Sequence, residues 1–364
     1  MLKLAVEEAQ AISLNRHIPF YSYRLPGERQ THFGAQIKGE VLHFENLQSA
    51  GEGFIAVPFA ETPATPALFI RQDVAFTGMT EKSDIIEALQ TFSSDGKQRG
   101  IPENSVSPEE YHVQVTAMID ALRGGVARKA VLARGLTIQI PGIGKAPEWF
   151  KSLETRYPEA FVFLVSVPGV MTWMGASPEI FLKREKSGIE TMALAGTRQA
   201  GDTTQWGDKE MEEQAIVSEY ISALLPDAGK WKVQGPFSKR AGNVEHLCTT
   251  FVSPGSIKEE EVERLRLALH PTPAVGGFPR ENAITLIRQI EGEKRRYYAG
   301  YLGPLQKDKT FRWYVNLRSM ELFPEAVRLY IGGGITALSD PLQEWKETEL
   351  KSGTLLDVMK KGFC

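Results

Sequence analysis

Cysteine is scarce in this chain. Its 364 residues include only two, Cys248 and Cys364. Two cysteines cannot build a disulfide framework or a four-ligand zinc site, and free thiols are typical of a reducing compartment. The sequence therefore predicts a cytoplasmic protein that folds without disulfides.

Long hydrophobic runs are also missing. The most apolar stretch covers residues 161–176, and Pro168 and Gly169 divide it into two halves of strand length. A membrane-spanning helix needs about 20 continuous apolar residues, so this stretch predicts a β-hairpin instead. The first 16 residues have the pattern of an amphipathic helix and lack the apolar core of a signal peptide. We therefore expect a soluble protein that has no membrane partner.

Charge of one sign is not in excess either. The net charge is −3 at pH 7, and no stripe of Lys and Arg runs along any segment, which argues against a nucleic-acid partner. The sequence contains no Walker A, GxGxxG or GxSxG motif, so phosphate-loop, dinucleotide and serine-hydrolase functions are not supported. The six histidines have no metal-ligand spacing, and His246 and His270 are interpreted as hydrogen-bonded structural or pocket groups.

Helix signals are present at several places after residue 105. Ser107 is a typical N-cap, Pro108 suits the first helical position, and Gly124 ends the pattern. The last helix is predicted to begin in the same way, at Asp340 and Pro341. Two more helices are predicted in between, at residues 206–225 and 281–292.

Strand signals are more numerous than helix signals. Residues 127–140 predict a strand, and residues 297–336 predict a three-stranded meander with turns at 306–309 and 323–326. Strands in hairpin order, with helices that do not alternate strictly with them, favour an α+β fold of antiparallel β-sheets flanked by helices. No linker or internal repeat divides the chain, so we expect residues 1–364 to form a single large domain.

Carboxylates are concentrated on two of the predicted helices. Glu344, Glu347 and Lys351 are spaced i, i+3 and i+7, so they share one face of the last helix. Glu210 and Glu213 are spaced i, i+3 on the helix at 206–225. Two helices that each offer a carboxylate suit Mg²⁺, which takes one or two protein carboxylates and keeps several waters. The same spacing also fits solvated helix faces with ordinary ion pairs.

Three other charged residues stand in apolar or strand-like surroundings. Lys129 lies in a predicted strand, where loss of hydration would favour the neutral amine of a general base; an edge-strand lysine is the alternative. Glu179 follows the hairpin, where it is either an acid kept protonated by an apolar pocket or a simple turn carboxylate. Arg318 lies on the polar face of a strand and suits carboxylate binding. The glycines at 332–334 would let backbone N–H groups approach an anion.

Ten segments, taken in order, resemble the chorismate-utilising enzyme family, which includes isochorismate, salicylate, anthranilate and aminodeoxychorismate synthases. They are KAVLAR (129–134), GASPEIFL (175–182), LAGTR (194–198), KEMEEQAIV (209–217), HLCTTF (246–251), LHPTPAVGGFP (269–279), RRYYAGYLG (295–303), WYVNLRS (313–319), YIGGGI (330–335) and EWKETELKSGTLL (344–356). The resemblance covers about residues 105–360, whereas residues 1–104 match the family poorly. It implies one large domain of antiparallel sheets flanked by helices, with the active site in a cleft between them.

The resemblance also implies three groups of site residues. The expected Mg²⁺ carboxylates are Glu213 and Glu347, with Glu210 and Glu344 close to the ion or its waters. The expected residues around chorismate are Gly196, Thr197, His246, Ala274, Arg318, Gly333 and Lys351. The expected catalytic pair is Lys129, as the base that takes a proton from water, and Glu179, as the acid that protonates the leaving hydroxyl.

Three positions indicate which reaction of the family to expect. Lys129 stands where water-adding members carry a lysine, and ammonia-using anthranilate synthases lack it. Ala195 replaces the nucleophilic lysine of aminodeoxychorismate synthases, and Ala274 is similar to isochorismate synthases, where salicylate and anthranilate synthases tend to carry Thr. The resemblance thus implies a Mg²⁺-dependent isochorismate synthase of menaquinone or siderophore type, without an obligatory glutaminase subunit. The alternatives are a salicylate synthase, an ammonia-using synthase component and a catalytically silent relative, and Gln214 departs from the family, which usually has His there.

Overall fold

The computed structural model describes residues 3–94, 100, 104–227, 230–253, 255, 257–292 and 294–360. The helices in this part of the chain are α1 (Val6–Asn15), α2 (Ser83–Thr91), α3 (Pro108–Arg123), α4 (Gly142–Arg156), α5 (Asp208–Leu224), α6 (Glu259–Leu269), α7 (Arg280–Ile290) and α8 (Pro341–Lys360). The four helices predicted after residue 105 are thereby confirmed as α3, α5, α7 and α8. Within the described ranges, no helix is both long and apolar enough to span a membrane.

The strands are short in the N-terminal third and longer afterwards. In chain order they are β1 (Leu4–Ala5), β2 (Phe20–Arg24), β3 (His32–Ala35), β4 (Leu42–His43), β5 (Gly53–Val57), β6 (Leu68–Arg71), β7 (Val74–Thr77), β8 (Met79–Thr80), β9 (Lys129–Ile138), β10 (Phe161–Val167), β11 (Met171–Ser177), β12 (Ile180–Glu185), β13 (Gly188–Gln199), β14 (Lys232–Ala241), β15 (Val244–Val252), β16 (Gly277–Phe278), β17 (Tyr301–Leu305), β18 (Phe311–Val315), β19 (Ser319–Leu322) and β20 (Val327–Thr336). The hairpin predicted at 161–176 is confirmed, because β10 and β11 pair along their whole length.

Two nine-stranded antiparallel sheets hold almost all of these strands. Sheet I has the order β16-β9-β20-β19-β11-β10-β2-β3-β7, and sheet II has the order β14-β15-β13-β12-β18-β17-β5-β6-β4. A small third sheet pairs β1 with β8. Neighbouring strands run antiparallel in both large sheets, for example β20 with β9 and β13 with β15. The predicted α+β fold of antiparallel sheets flanked by helices is confirmed.

The N-terminal strands extend the same two sheets that the later segments build. In sheet I, β2 pairs with β10, and in sheet II, β5 pairs with β17. β2 is buried along its whole length, and β5 is buried at four of its five positions. The poorly matching first third of the chain thus packs with the rest, which supports the expectation of one domain.

Apolar residues fill two cores on either side of sheet I. The side chains of β10 alternate between them: Phe161, Phe163 and Val165 lie in the core between the sheets, whereas Val162 and Leu164 lie in the core under α1 and α4. A strand that is buried on both faces needs apolar residues at every position. This explains why 161–167 forms the most apolar run of the sequence without crossing a membrane.

The predicted three-stranded meander at 297–336 is wrong. Four strands lie in this range, and they form two hairpins: β17 with β18 in sheet II, and β19 with β20 in sheet I. The chain leaves sheet II after Val315 and enters sheet I at Ser319, and Arg318 between them has a left-handed φ of 49°. Strand-like residues continue through the crossing, so the pattern does not reveal the change of sheet. The crossing places Arg318 at the gap between the two sheets.

Candidate active site

A cavity lies between the two sheets, beside α8. It is called the inner cavity here, and most of the residues expected around the ligand line it: Glu179, Gly196, Thr197, Glu213, His246, Ala274, Arg318, Gly333 and Lys351. A second, more open space adjoins it and is called the outer cavity; Glu210, Glu344 and Glu347 line it, and Thr197 lines both. Of the thirteen expected site residues, Lys129 alone lines neither space. The structure therefore brings together residues that lie far apart in the sequence.

The glycines at 332–334 on β20 make room for three glutamates. A Cβ atom on Gly334 would overlap Glu213 Oε1. A Cβ atom on Gly333 would lie 3.1 Å from Glu344 Oε2 and 3.9 Å from Glu347 Oε1. Any side chain at these positions would fill the space that the carboxylates occupy. Gly333 and Gly334 therefore leave the space in which carboxylates from α5 and α8 come together.

Lys129 is fully buried in β9. The strand pairs on both sides, Lys129 with Thr336 of β20 and with Phe278 of β16, so the edge-strand alternative is wrong. Lys129 Nζ lies 3.0 Å from Glu213 Oε1. Glu213 lines the inner cavity, whereas Lys129 does not. The amine of Lys129 therefore contacts a residue of the cavity wall but is not itself part of that wall.

Two lysines accompany the glutamates of α8. Lys351 Nζ lies 2.5 Å from Glu347 Oε1 and donates a hydrogen bond of 3.0 Å to Gly332 O. Lys209 Nζ, at the start of α5, lies 2.7 Å from Glu344 Oε1 and 4.0 Å from Glu347 Oε2. Burial raises the pKa of Glu347, but the two ammonium groups outweigh burial and lower this pKa to about 2. Burial and the charge of Glu347 raise the pKa of Glu344 to about 7.

Glu179 has the surroundings of a buried acid. Its side chain follows β11, and the residue is 2% exposed. Burial raises the pKa of Glu179 to about 8, although the charges of Lys129 and Lys239 act in the opposite direction. At pH 7 a pKa raised in this way favours the protonated form of the carboxyl. The acid role of Glu179 stays a prediction. A solvated turn carboxylate does not describe this buried side chain.

Arg318 and His246 form a polar pair in the wall of the inner cavity. Arg318 Nη2 lies 3.1 Å from His246 Nε2, and His246 Nδ1 lies 2.7 Å from Gly196 O. Since a guanidinium can only donate, Nε2 accepts and Nδ1 carries the ring proton. Burial, followed by the charges of Arg318 and Lys351, lowers the pKa of His246 to about 3. The neutral ring thus holds the guanidinium in place without competing for a negatively charged ligand.

Gly196 and Thr197 lie at a break in the ladder between β13 and β15. The register shifts between Ala195 and Arg198, and Gly196 has a φ of 66°, which is the left-handed conformation that favours glycine. Thr197 Oγ1 lies 3.3 Å from His246 Nδ1. The bulge interrupts the strand where the two cavities meet, and Thr197 therefore faces both.

Ala274 and Gln214 are the two positions at which the resemblance implied a choice of reaction or a departure from the family. Ala274 lines the inner cavity, so the size of this side chain limits the space for a ligand. Gln214 is buried, and its Nε2 donates to Ala193 O at 3.3 Å and to Thr249 Oγ1 at 3.1 Å. These contacts tie α5 to β13 and β15. Gln214 therefore has a structural role here and lines neither cavity.

Glu213, Glu344 and Glu347, called the carboxylate cluster here, offer the kind of ligand atom that a hard cation prefers. The donors of this cluster are oxygen atoms, and the buried hydroxyl of Tyr111, 3.8 Å from the Cβ position of Gly333, has no hydrogen-bond partner among the described residues. In the described ranges, no three His, Cys, Asp or Glu side chains converge into a complete set of metal ligands. Mg²⁺ does not need such a set, because one or two carboxylates and several waters satisfy it. The residues present thus fit Mg²⁺ better than a transition metal.

Two residues near these carboxylates, Lys209 and Tyr111, are not among the site residues that the sequence predicts. Lys209 precedes Glu213 by four positions on α5, and such a pair is usually a solvated ion pair on a helix surface. Tyr111 lies on α3 with no local signal beyond its apolar neighbours. Nothing in the spacing indicates that both side chains meet the carboxylates of α8.

Comparisons with known proteins agree with this geometry. The sequence profile of a family described as chorismate binding enzyme matches residues 62–360. The chain is 28% identical over 300 residues to isochorismate synthase EntC of Escherichia coli K12, covering 75% of this chain and 76% of that one. It is 27% identical over 334 residues to isochorismate synthase MenF of Bacillus subtilis, covering 85% and 70%.

A solved structure shows the same fold. The menaquinone-specific isochorismate synthase MenF of Escherichia coli superimposes with a TM-score of 0.74 at 22% identity, over 98% of this chain and 94% of that one. The family match covers most of the chain, and it includes every residue that lines the two cavities. This chain therefore belongs to the family of chorismate binding enzymes.

Proposed function

We propose that this protein is an isochorismate synthase, which converts chorismate to isochorismate by adding water at ring carbon 2 and releasing the hydroxyl at carbon 4. The observation that carries the proposal is Glu179, a buried carboxyl with a pKa of about 8 in the same cavity as Arg318. A protonated acid next to a carboxylate-binding group is what the loss of hydroxide from an anionic substrate requires. The relatives named above act as isochorismate synthases, which supports the same assignment.

Arg318 and Lys351 would bind the carboxylates of chorismate. Arg318 presents a planar fork that matches a carboxylate with two parallel hydrogen bonds, and His246 holds that fork from behind. The apolar part of the inner cavity, which includes Leu194 and Val275, suits the ring. Ala274 leaves room beside it.

Lys129 and Glu179 would carry the two proton transfers. Lys129, as the free amine, takes a proton from the water that attacks carbon 2, while Glu179 gives its proton to the hydroxyl that leaves carbon 4 as water. One water enters and one leaves, so the reaction is an isomerisation without net hydration. Lys129 lines neither cavity, and its Nζ lies 3.0 Å from Glu213 Oε1. The attacking water must therefore approach Lys129 past Glu213.

Glu213 and Glu347 would hold Mg²⁺ through carboxylate oxygens, with Glu344 close to the ion or its waters. When bound, Mg²⁺ supplies a Lewis acid and a template for the ring carboxylate. Glu210 is the weakest candidate of the predicted group, because its carboxylate turns back toward Gly207 at the start of its own helix. The cytoplasmic location and the independence from a glutaminase subunit stay predictions.

The test is product analysis with the purified protein. Chorismate is incubated with Mg²⁺ or with excess EDTA, and the products are separated by chromatography. Isochorismate that forms only with Mg²⁺, without salicylate or pyruvate, is the expected result. Salicylate together with pyruvate would identify a salicylate synthase, an amino product formed only with ammonium salts would identify an ammonia-using component, and no turnover at all would identify a silent relative.

A further inference from the structure

Lys209 stands among the carboxylates that are proposed to bind Mg²⁺. Its Nζ lies 2.7 Å from Glu344 Oε1 and 4.0 Å from Glu347 Oε2. A Mg²⁺ ion that engaged either glutamate would have to approach an oxygen to about 2.0–2.1 Å. The ammonium therefore occupies one side of the place that such an ion would take.

The cluster is formally balanced in charge by its own side chains. It contains three glutamates and three lysines in contact with them: Glu213, Glu344, Glu347, Lys129, Lys209 and Lys351. Lys129 is fixed inside sheet I, and Lys351 is also tied to Gly332 O. Lys209 has no such second anchor among the described contacts, and 20% of its side chain is exposed. It is the lysine that can move without breaking the strand or the backbone contact.

We propose that Lys209 is an internal counter-ion of the carboxylate cluster, which holds Glu344 and Glu347 in place and is displaced when Mg²⁺ binds. The outer cavity gives the ammonium a destination, since Glu210 and Asp340 line it together with Lys209. Lys209 is thus a positioning residue that competes with the metal ion. The inference rests on the proposed Mg²⁺ site.

The first experiment compares Mg²⁺ binding by Lys209→Met and Lys209→Arg with the unaltered protein, in the absence of chorismate. MgCl₂ is titrated and followed by isothermal calorimetry and by the melting temperature. Two like charges this close repel strongly in a partly buried site, so Lys209→Met should bind Mg²⁺ at least tenfold more tightly. Lys209→Arg keeps the charge and should remain within about threefold of the unaltered protein. Without Mg²⁺, Lys209→Met should melt at a lower temperature, and Mg²⁺ should raise its melting temperature more than that of the unaltered protein.

The second experiment needs no variant, so it remains valid if Lys209→Met does not fold. The unaltered protein is treated briefly with an amine-acetylating reagent with and without Mg²⁺, and modification of Lys209 is measured by peptide mass spectrometry. Acetylation of Lys209 should increase severalfold with Mg²⁺, while that of the exposed Lys230 should stay the same.

The outcomes separate this inference from the proposed function. Equal or weaker Mg²⁺ binding by Lys209→Met, or unchanged acetylation of Lys209 at saturating Mg²⁺, would overturn the counter-ion role and leave the isochorismate synthase assignment standing. Failure of the unaltered protein to bind Mg²⁺ would overturn both the counter-ion role and the metal assignment.

Discussion

Replacing Glu179 with Gln removes the proton that the proposed mechanism needs, while it keeps the shape of the buried side chain. A general acid contributes about 10²–10⁴-fold to the rate, which corresponds to about 3–5 kcal/mol of transition-state stabilisation. We therefore expect kcat to fall by this factor, with little change in KM. The rate of the unaltered enzyme should also decline as the pH rises past about 8, where Glu179 loses its proton.

The same substitution should also change how the free energy of unfolding depends on pH. The pKa of Glu179 is about 8 in the folded protein, against 4.5 for an ordinary glutamate, so the folded state keeps this proton to a higher pH than the unfolded state. The free energy of unfolding therefore falls as the pH rises from 4.5 to 8, by at most about 5 kcal/mol. Glutamine has no proton to lose, so the Glu179→Gln protein should lack this part of the fall.

The assay combines chorismate turnover with thermal melts at pH 5 and pH 8.5. The matched control is Glu212→Gln on α5, because the Glu212 side chain is 41% exposed and its Oε1 lies 3.8 Å from the exposed Arg128 Nη2. The control should keep both its turnover and the pH dependence of its melting temperature. Near-normal turnover of Glu179→Gln would refute the acid role. A melting temperature with the same pH dependence as the unaltered protein would refute the reasoning about burial.

Three other substitutions test the rest of the site. Lys129→Met should keep the circular dichroism spectrum and lose about 10²–10⁴-fold in turnover; full activity would exclude Lys129 as the base. Arg318→Lys replaces a guanidinium, which can make two parallel hydrogen bonds to a carboxylate, with a single ammonium group. Steady-state kinetics should therefore show KM for chorismate raised about tenfold or more, with a smaller effect on kcat. An unchanged KM would contradict carboxylate binding by Arg318. Gly334→Ala would force a Cβ against Glu213 Oε1 and should cost about 1–3 kcal/mol in a denaturation experiment. Its control is Gly144→Ala in α4, where, apart from the adjoining backbone of the helix, no atom of the described residues lies within 4 Å of the new Cβ. An equal effect of both substitutions would contradict the close packing at Gly334.

Most of the helices and the fold class follow from local patterns. Ser107 caps α3 as predicted, since its Oγ accepts a hydrogen bond from Glu110 N at 3.1 Å, and Asp340 caps α8 in the same way, with Gln343 N as the donor at 2.9 Å. Capping depends on residues that are three apart in the sequence, so a local pattern is enough to predict it. The hairpin at 161–176 is equally local.

Features that depend on contacts between distant residues were not visible in the sequence. The prediction of a three-stranded meander is wrong because a strand pattern shows which side chains alternate between two faces. It does not show which sheet the strand joins. The apolar neighbours of Lys129 in β9 indicate that this residue is buried, and it is. The carboxylate that faces it, Glu213, comes from a helix more than eighty residues later, and no local pattern reports its charge.

The sequence by itself determined the family, the fold class and twelve residues that line the two cavities, because ten ordered segments carry that information together. The tertiary structure decided how those residues act on one another. It buries Glu179 and raises its pKa, pairs Lys129 with Glu213, and inserts Lys209 between the glutamates of α8. The physical reason is that hydration and charge–charge interactions depend on distances in space, and side chains far apart along the chain set those distances only when the chain has folded.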